Sequence, residues 1–153
     1  MERVPILMKD KKYDEISEKI SKEFPNSCIL FIDEIINPSL KILYEEYKST
    51  LDVNKYEELE LFHGTHARLI DKIAFEGFDP TKNVISAYGK GTYFSKLASY
   101  SYSYMKSKDK QGISYMFIAK VISQKKSLTH IYVIPEYQAT YPKYIIAFHK
   151  NAK

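Results

Sequence analysis

Cysteine is nearly absent from this sequence of 153 residues, and glycine and proline are scarce. The one cysteine, Cys28, excludes a disulfide framework and a cysteine-cluster zinc site, and it favours a reducing intracellular compartment, either cytoplasm or nucleus. Five glycines and six prolines exclude collagen-like and low-complexity designs. The four histidines lack the HExxH spacing of zinc hydrolases, so we expect no metal.

Long hydrophobic runs are also missing. The longest, at 28–32 and 115–119, are far shorter than the roughly 20 residues that a membrane-spanning helix needs, so we expect no membrane partner. Gly89-Lys90-Gly91 lacks the spacing of a P-loop, and no GxGxxG motif occurs. These absences exclude a transmembrane protein and a Rossmann enzyme.

Acidic residues are rare in the second half of the chain. Residues 1–76 carry 11 basic and 16 acidic side chains, whereas residues 77–153 carry 12 and 3, so the formal charges of the halves are −5 and +9. A half this basic attracts anionic ligands such as dinucleotides, phosphates or nucleic acid, although lysines also simply solubilise a surface.

The length and a hydrophobic content of 44% predict a single domain, residues 1–153, with its own core. Apolar periodicity predicts helices at 12–24, 38–50 and 97–106, and a short helix that follows Thr65 and is capped by Gly77. We expect Asn37 to be the N-cap of the second helix. Short apolar runs predict strands at 28–32, 59–64, 92–95, 113–123, 130–134 and 143–149. Because the helices come first and the strands later, we expect an α+β fold with much antiparallel pairing.

Six segments occur in a fixed order: LFHGT at 61–65, EGFD at 76–79, AYGKGTYFS at 87–95, ASYSYSY at 98–104, MFIAKV at 116–121 and TYPKYIIAF at 140–148. Together they resemble the catalytic domain of the poly(ADP-ribose) polymerases. The upstream IDEIINPSLKILYEEY at 32–47 resembles the lead-in of the small mono-ADP-ribosylating branch. The resemblance covers about residues 13–148. HGT alone is weak evidence, whereas HGT followed by GKGTYFS and YPxYxI at these separations is specific.

This resemblance implies the diphtheria-toxin-like ADP-ribosyltransferase fold: one α+β domain of two packed, mainly antiparallel sheets, with flanking helices and a cleft that holds NAD+. It implies an enzyme of the glycosyltransferase class that moves ADP-ribose from its co-substrate NAD+ to an acceptor protein and releases nicotinamide. Self-modification of the chain is among the implied outcomes.

The HGT segment contains the first three site residues that the resemblance implies. His63 matches the family histidine that hydrogen-bonds a ribose hydroxyl, a role that suits imidazole because one ring nitrogen binds the ligand while the protein orients the other. Gly64 matches the glycine whose backbone approaches the nicotinamide carboxamide closely, which a Cβ would obstruct. Thr65 matches the residue whose hydroxyl contacts ribose.

The remaining implied NAD+-binding residues lie in AYGKGTYFS and ASYSYSY. Tyr93 matches the tyrosine that lines the nicotinamide and ribose pocket. Tyr88 is also among the NAD+-binding residues that we expect. Ser101 and Tyr104 match the serine that donates to the carboxamide and the tyrosine that stacks on the nicotinamide ring. A spacing of three residues presents both to one side of a helix.

In the family that this sequence resembles, a third catalytic residue acts with the histidine and the tyrosine, and it determines how many ADP-ribose units are transferred. In polymerising members it is a glutamate, which engages the acceptor ribose and stabilises positive charge in the transition state. An ungapped alignment places Ile131 at this position, whereas an alignment anchored on Gln138 places His130 there; we prefer Ile131. Isoleucine cannot hydrogen-bond a growing chain, so we expect transfer to stop after one unit, with the acceptor's own carboxylate supplying the missing charge.

Two other functions remain as alternatives. The first is a catalytically silent module of the same fold that binds NAD+ or ADP-ribose, against which the intact His63 and Tyr93 argue. The second involves nucleic acid, either modified at its end or bound by lysines with interleaved tyrosines, and we do not favour it because such lysines commonly solubilise loops. These lysines are Lys106, Lys108, Lys110, Lys125 and Lys126.

Overall fold

The computed structural model describes residues 1–82, 90–102, 112–125 and 130–151. The elements are β1 (Glu2–Pro5), α1 (Lys11–Glu23), β2 (Cys28–Ile36), α2 (Pro38–Ser49), β3 (Tyr56–Gly64), α3 (Ile70–Glu76), β4 (Thr92–Ser95), α4 (Ala98–Tyr102), β5 (Ser114–Gln124), β6 (Ile131–Ile134) and β7 (Thr140–His149), with 3-10 helices at Ala67–Leu69, Pro80–Lys82 and Tyr137–Ala139. The prediction of an α+β fold is confirmed. Within the described residues, no helix is long and apolar enough to cross a membrane.

The seven strands of the described residues belong to one antiparallel sheet in the order β1-β2-β7-β5-β3-β4-β6. The long strands β3, β5 and β7 pair over most of their length, but β3 meets the four-residue β4 at one described position, Phe62 opposite Ser95. The sheet therefore has a narrow junction between a five-stranded part and the β4–β6 pair. The two sheets that the resemblance implies are these two parts of one hydrogen-bonded sheet.

The ends of the helices follow the capping residues in the sequence. Asn37 is the N-cap of α2, where its side chain accepts the N–H of Leu40 at 3.2 Å, so that prediction is confirmed. The Nδ2 of Asn37 also donates to the carbonyls of Ala74 and Phe75 at 2.9 and 3.0 Å, which ties α2 to the end of α3. Gly77 caps α3 with a φ of +84°, a conformation that favours glycine.

Apolar side chains cover both faces of the sheet. On one face, Leu40 and Tyr44 of α2 and Ile70 and Ala74 of α3 pack against buried residues of the central strands. On the other face, α1 and α4 pack against β5 and β7 through a second cluster that includes Ile16, Ile20, Ala98, Met116, Ile146 and Phe148. The fold thus has helices on each side of the sheet, and both cores reach the end of β3.

Several strand predictions were incomplete for a shared physical reason. The sequence did not predict β1, and it ended β2 at Ile32, although β2 continues to Ile36. It also began β3 at Leu59 and β7 at Lys143, although these strands begin at Tyr56 and Thr140. Polar residues interrupt the apolar pattern, yet partners on neighbouring strands accommodate them. Arg3 of β1 binds Asp33 at 3.2 Å, and Lys143 of β7 binds Glu34 at 2.9 Å.

Candidate functional site

The HGT segment forms the end of β3. His63 and Gly64 lie opposite Phe117 and Met116 of β5, so the sheet fixes their backbone. Thr65 follows the strand and is buried. The three residues predicted here are therefore consecutive at the end of an interior strand, next to the narrow junction with β4.

His63 is held by a hydrogen bond across this junction. Its Nδ1 lies 2.8 Å from the carbonyl oxygen of Tyr93 in β4. A carbonyl only accepts, so Nδ1 carries the hydrogen. The structure thus brings together His63 and Tyr93, two of the predicted NAD+-binding residues, through the backbone of Tyr93, a contact that side-chain patterns could not predict.

Two aromatic rings, which also contact each other, pack against the imidazole. The ring of Phe78 meets it edge-on with centroids 4.8 Å apart, and the ring of Phe94 lies at 5.3 Å. Burial lowers the pKa of His63 to about 4, against the opposing effect of the hydrogen bond to the backbone of Tyr93. The ring is therefore neutral near pH 7, and its Nε2 is an unprotonated acceptor suited to a hydroxyl donor.

The EGFD segment, whose role the sequence left open, supports this histidine. The Tyr137 hydroxyl donates to the carbonyl of Glu76 in a short hydrogen bond. A Cβ on Gly77 would come within 3.2 Å of the Tyr137 ring, so glycine permits this packing. Phe78 then reaches His63, and Asp79 accepts both the N–H and the hydroxyl of Thr81 in a turn. Phe78 is thus a positioning residue that was not predicted; its signal in the sequence was its place in the EGFD segment at 76–79.

A cavity of about 850 Å³ opens beside His63. The end of β3 forms one wall, the end of α3 with the EGFD segment forms the second, and the end of β6 with the following 3-10 helix forms the third. Its lining includes His63, Thr65, Lys72, Glu76, Phe78, Thr92 and Tyr137. Two of the predicted NAD+-binding residues therefore line one cavity with a mixture of apolar, hydroxyl and charged groups.

Ser101 lies on the opposite side of β3 in the short helix α4. It is 3% exposed, and its hydroxyl donates to the carbonyl of Phe62 at 3.0 Å. Phe62 directly precedes His63, so Ser101 is tied to the HGT strand. With its hydrogen used in this way, the hydroxyl can accept from an amide N–H, whereas donation to a carboxamide oxygen would require it to leave Phe62.

Ile131 begins β6 directly opposite Ser95, and Val133 lies opposite Tyr93. Directly opposed residues share a face of a sheet and the faces alternate, so Ile131 and Tyr93 point to the same side. His130 precedes the strand. Its carbonyl accepts the N–H of Lys96 at 2.9 Å, and its exposed ring lies 3.4 Å from the Ser95 hydroxyl, measured from Nδ1.

Two predicted NAD+-binding residues, Tyr88 and Tyr104, lie outside the described residues. The lysines of the nucleic-acid alternative lie there too, except Lys125, whose N–H donates to the carbonyl of Lys55 at 2.9 Å. Within the described residues, no three His, Cys, Asp or Glu side chains form a group that could hold a metal ion.

The imidazole of His63 will remain neutral, with its hydrogen on Nδ1, between about pH 5 and 8. Because its pKa is lowered to about 4 in the folded protein, the unfolded chain binds more protons at pH values between 4 and the ordinary value of 6.5. The stability that the neutral ring contributes is therefore complete above pH 6.5 and is lost as the pH falls from there through 4. Long-range 1H–15N NMR of the ring nitrogens measures both tautomer and pKa. A titration of His63 centred near 6.5 would contradict this expectation.

Comparison with known proteins agrees with this architecture. Residues 10–130 match the family described as "Poly(ADP-ribose) polymerase catalytic domain". The chain belongs to this family.

Several curated relatives carry names from the mono-ADP-ribosyltransferase branch. The chain is 32% identical over 127 residues to "Protein mono-ADP-ribosyltransferase PARP14" of Homo sapiens, covering 78% of the chain and 7% of that protein. It is 30% identical over 128 residues to human PARP11, covering 80% of the chain and 38% of that protein, and 28% identical over 126 residues to PARP12 of Mus musculus, covering 78% and 17%. The chain thus spans 38% or less of the length of these relatives.

Proposed function

We propose that this chain is an NAD+-dependent mono-ADP-ribosyltransferase that transfers one ADP-ribose unit to a protein acceptor and releases nicotinamide. The observation that carries the proposal is the neutral His63 at the wall of the cavity, with Nδ1 bound to Tyr93 and Nε2 left as an acceptor. Membership of the poly(ADP-ribose) polymerase family and the names of the relatives support the same activity.

The residues around the cavity fit a dinucleotide substrate. Its volume of about 850 Å³ lies within the usual range of small-molecule sites, and its wall combines the apolar Phe78 with polar groups. At the cavity, His63 would accept from a ribose hydroxyl and Thr65 would contact ribose. Gly64 and Ser101, which do not line the cavity, would hold the nicotinamide carboxamide. NAD+ supplies the chemistry: as the acceptor attacks the ribose, the bond to nicotinamide breaks and its electron pair leaves with nicotinamide.

Isoleucine at position 131 supports transfer of a single unit. Ile131 shares a face of the β4–β6 pair with Tyr93, and its side chain has no polar atom to bind the hydroxyl of an ADP-ribose acceptor. A carboxylate on the acceptor protein would then provide the negative charge that the glutamate provides in polymerising members. His130, one residue earlier, is the alternative at this position.

Incubation of the chain with NAD+ tests the proposal, with intact mass spectrometry to count added units and chromatography to measure nicotinamide. We expect one ADP-ribose unit, or a few separate single additions, together with released nicotinamide. An added acidic carrier protein covers the case in which the chain lacks an acceptor residue of its own.

Each other outcome overturns part of the proposal. A long ladder of ADP-ribose additions would contradict single-unit transfer and the assignment of Ile131. ADP-ribose binding without nicotinamide release would identify a silent module instead of an enzyme. Absence of both binding and release would overturn the NAD+ site altogether.

A further inference from the structure

We propose that Glu23 is a positioning residue for the nicotinamide half of the site, because its carboxylate fixes the start of the helix that carries Ser101. The inference rests on the proposed function, since it assigns Ser101 to the carboxamide. Oε2 of Glu23 accepts the N–H of Ala98 at 2.6 Å, and Oε1 accepts the N–H and the hydroxyl of Ser99 at 3.0 and 2.7 Å. Glu23 and these partners are 75 and 76 residues apart in the sequence.

The short helix α4 needs this external support. The described helix has five residues, Ala98–Tyr102, and it consists mainly of serine and tyrosine, which are weak helix formers. A helix of this length is unstable in isolation because nucleation is costly. Its first N–H groups have no partner within the helix, and the carboxylate of Glu23 satisfies those of Ala98 and Ser99 with charge-assisted hydrogen bonds.

The position of Glu23 in its own helix indicates that the contact with α4 is its role. Glu23 is the last residue of α1, where a negative charge is unfavourable because the C-terminal end of the helix dipole is also negative. The next residue, Phe24, packs against Tyr102 with ring centroids 5.4 Å apart, so the end of α1 holds both ends of the described helix.

Helix α4 connects Glu23 to the HGT strand, because it contacts Glu23 at its start and β3 through Ser101. Ala98 and Ser101 are three residues apart and both are buried, so they form the face of α4 that packs towards β3. From this face Ser101 donates to the carbonyl of Phe62, which adjoins His63. The cavity beside His63 is lined by no residue of α1 or α4, so we expect loss of Glu23 to affect the carboxamide contact of Ser101 more than the contacts made in the cavity.

Binding of the two halves of NAD+ measured separately tests this inference. We compare the wild-type chain with Glu23→Ala, with Glu23→Gln, which keeps one acceptor oxygen, and with Glu18→Ala as a control for an exposed acid on the same helix. We expect Glu23→Ala to weaken nicotinamide binding about tenfold or more and to raise the KM for NAD+, with ADP-ribose affinity within about twofold of wild type. Glu23→Gln is expected to be intermediate and Glu18→Ala unchanged. Amide hydrogen exchange at Ala98 and Ser99 will accelerate in the Glu23 variants.

The outcomes separate this inference from the proposed function. Equal weakening of nicotinamide and ADP-ribose in Glu23→Gln would indicate a general structural role and overturn positioning, and so would unchanged nicotinamide binding in both Glu23 variants. A wild-type chain that binds neither ligand would overturn the proposed function, and the inference with it. A wild-type chain that binds ADP-ribose but not nicotinamide would overturn the inference alone.

Discussion

Replacing His63 with alanine will reduce nicotinamide release from NAD+ by about 10³-fold or more while the protein stays folded. The change removes the acceptor nitrogen that we assign to a ribose hydroxyl, which alone costs about 1–3 kcal/mol. It also removes the ring that packs against Phe78 and Phe94 and that bonds to the backbone of Tyr93, so β3 and β4 lose this hydrogen bond across their junction. Misplacement of reacting groups by about 1 Å costs a further hundredfold.

Initial rates of nicotinamide release over a series of NAD+ concentrations measure this effect, and circular dichroism confirms folding. His149→Ala is the matched control, because His149 is also half-buried but lies at the end of β7 and does not line the cavity. We expect its rate to stay within about twofold of wild type. A His63→Ala rate equal to that of the control would remove His63 from the proposed site.

Local sequence signals predicted the elements whose stability is local. The N-cap of Asn37, the glycine cap of Gly77 and the strand at 92–95 all lie where turn and capping chemistry indicated. Strand β1 could not be predicted in this way, because its four residues are mostly exposed and exist as a strand only through pairing with the end of β2. The formation of β1 depends on the partner strand and on the ion pair between Arg3 and Asp33.

The candidate site shows the same difference between residues that local motifs indicate and contacts that the tertiary fold creates. Matched motifs pointed to His63, Thr65 and Ser101, and the structure places His63 and Thr65 at one cavity and joins Ser101 to the strand before His63. The groups that fix them were not predictable from motifs. Tyr93 acts on His63 through its carbonyl, and Glu23 reaches α4 from a distant part of the chain. Such contacts depend on the tertiary fold, so no spacing of residues in the sequence indicates them.

Gly91, the second glycine of GKGTYFS, allows its backbone to lie close to the backbone at the end of β6. Gly91 has a φ of +147°, and a Cβ built on it would lie 2.8 Å from the carbonyl carbon and oxygen of Ile134 and 3.0 Å from the nitrogen of Pro135. These are backbone atoms, which cannot rotate away as the end of a side chain can. Pro135 lines the cavity, and Tyr93, which binds His63, follows Gly91 by two residues.

Gly91→Ala will therefore lower the free energy of unfolding by about 2–6 kcal/mol, the sum of backbone strain and overpacking at about 1–3 kcal/mol each. Any relief of the clash moves the start of β4 away from the end of β6, so we also expect weaker ADP-ribose binding in the fraction that folds. Urea unfolding followed by circular dichroism measures the stability, and calorimetry measures the binding.

Gly112→Ala separates the clash from the backbone strain. Gly112 has a φ of +77°, but no atom of the described residues lies within 4 Å of a Cβ built there, so its substitution carries the strain of about 1–3 kcal/mol alone. The difference between the two variants is the cost of separating Gly91 from the Ile134–Pro135 backbone. Equal losses of stability in the two variants would show that this close approach is not needed, whereas a larger loss in Gly91→Ala together with weaker ADP-ribose binding would establish it as a determinant of the cavity.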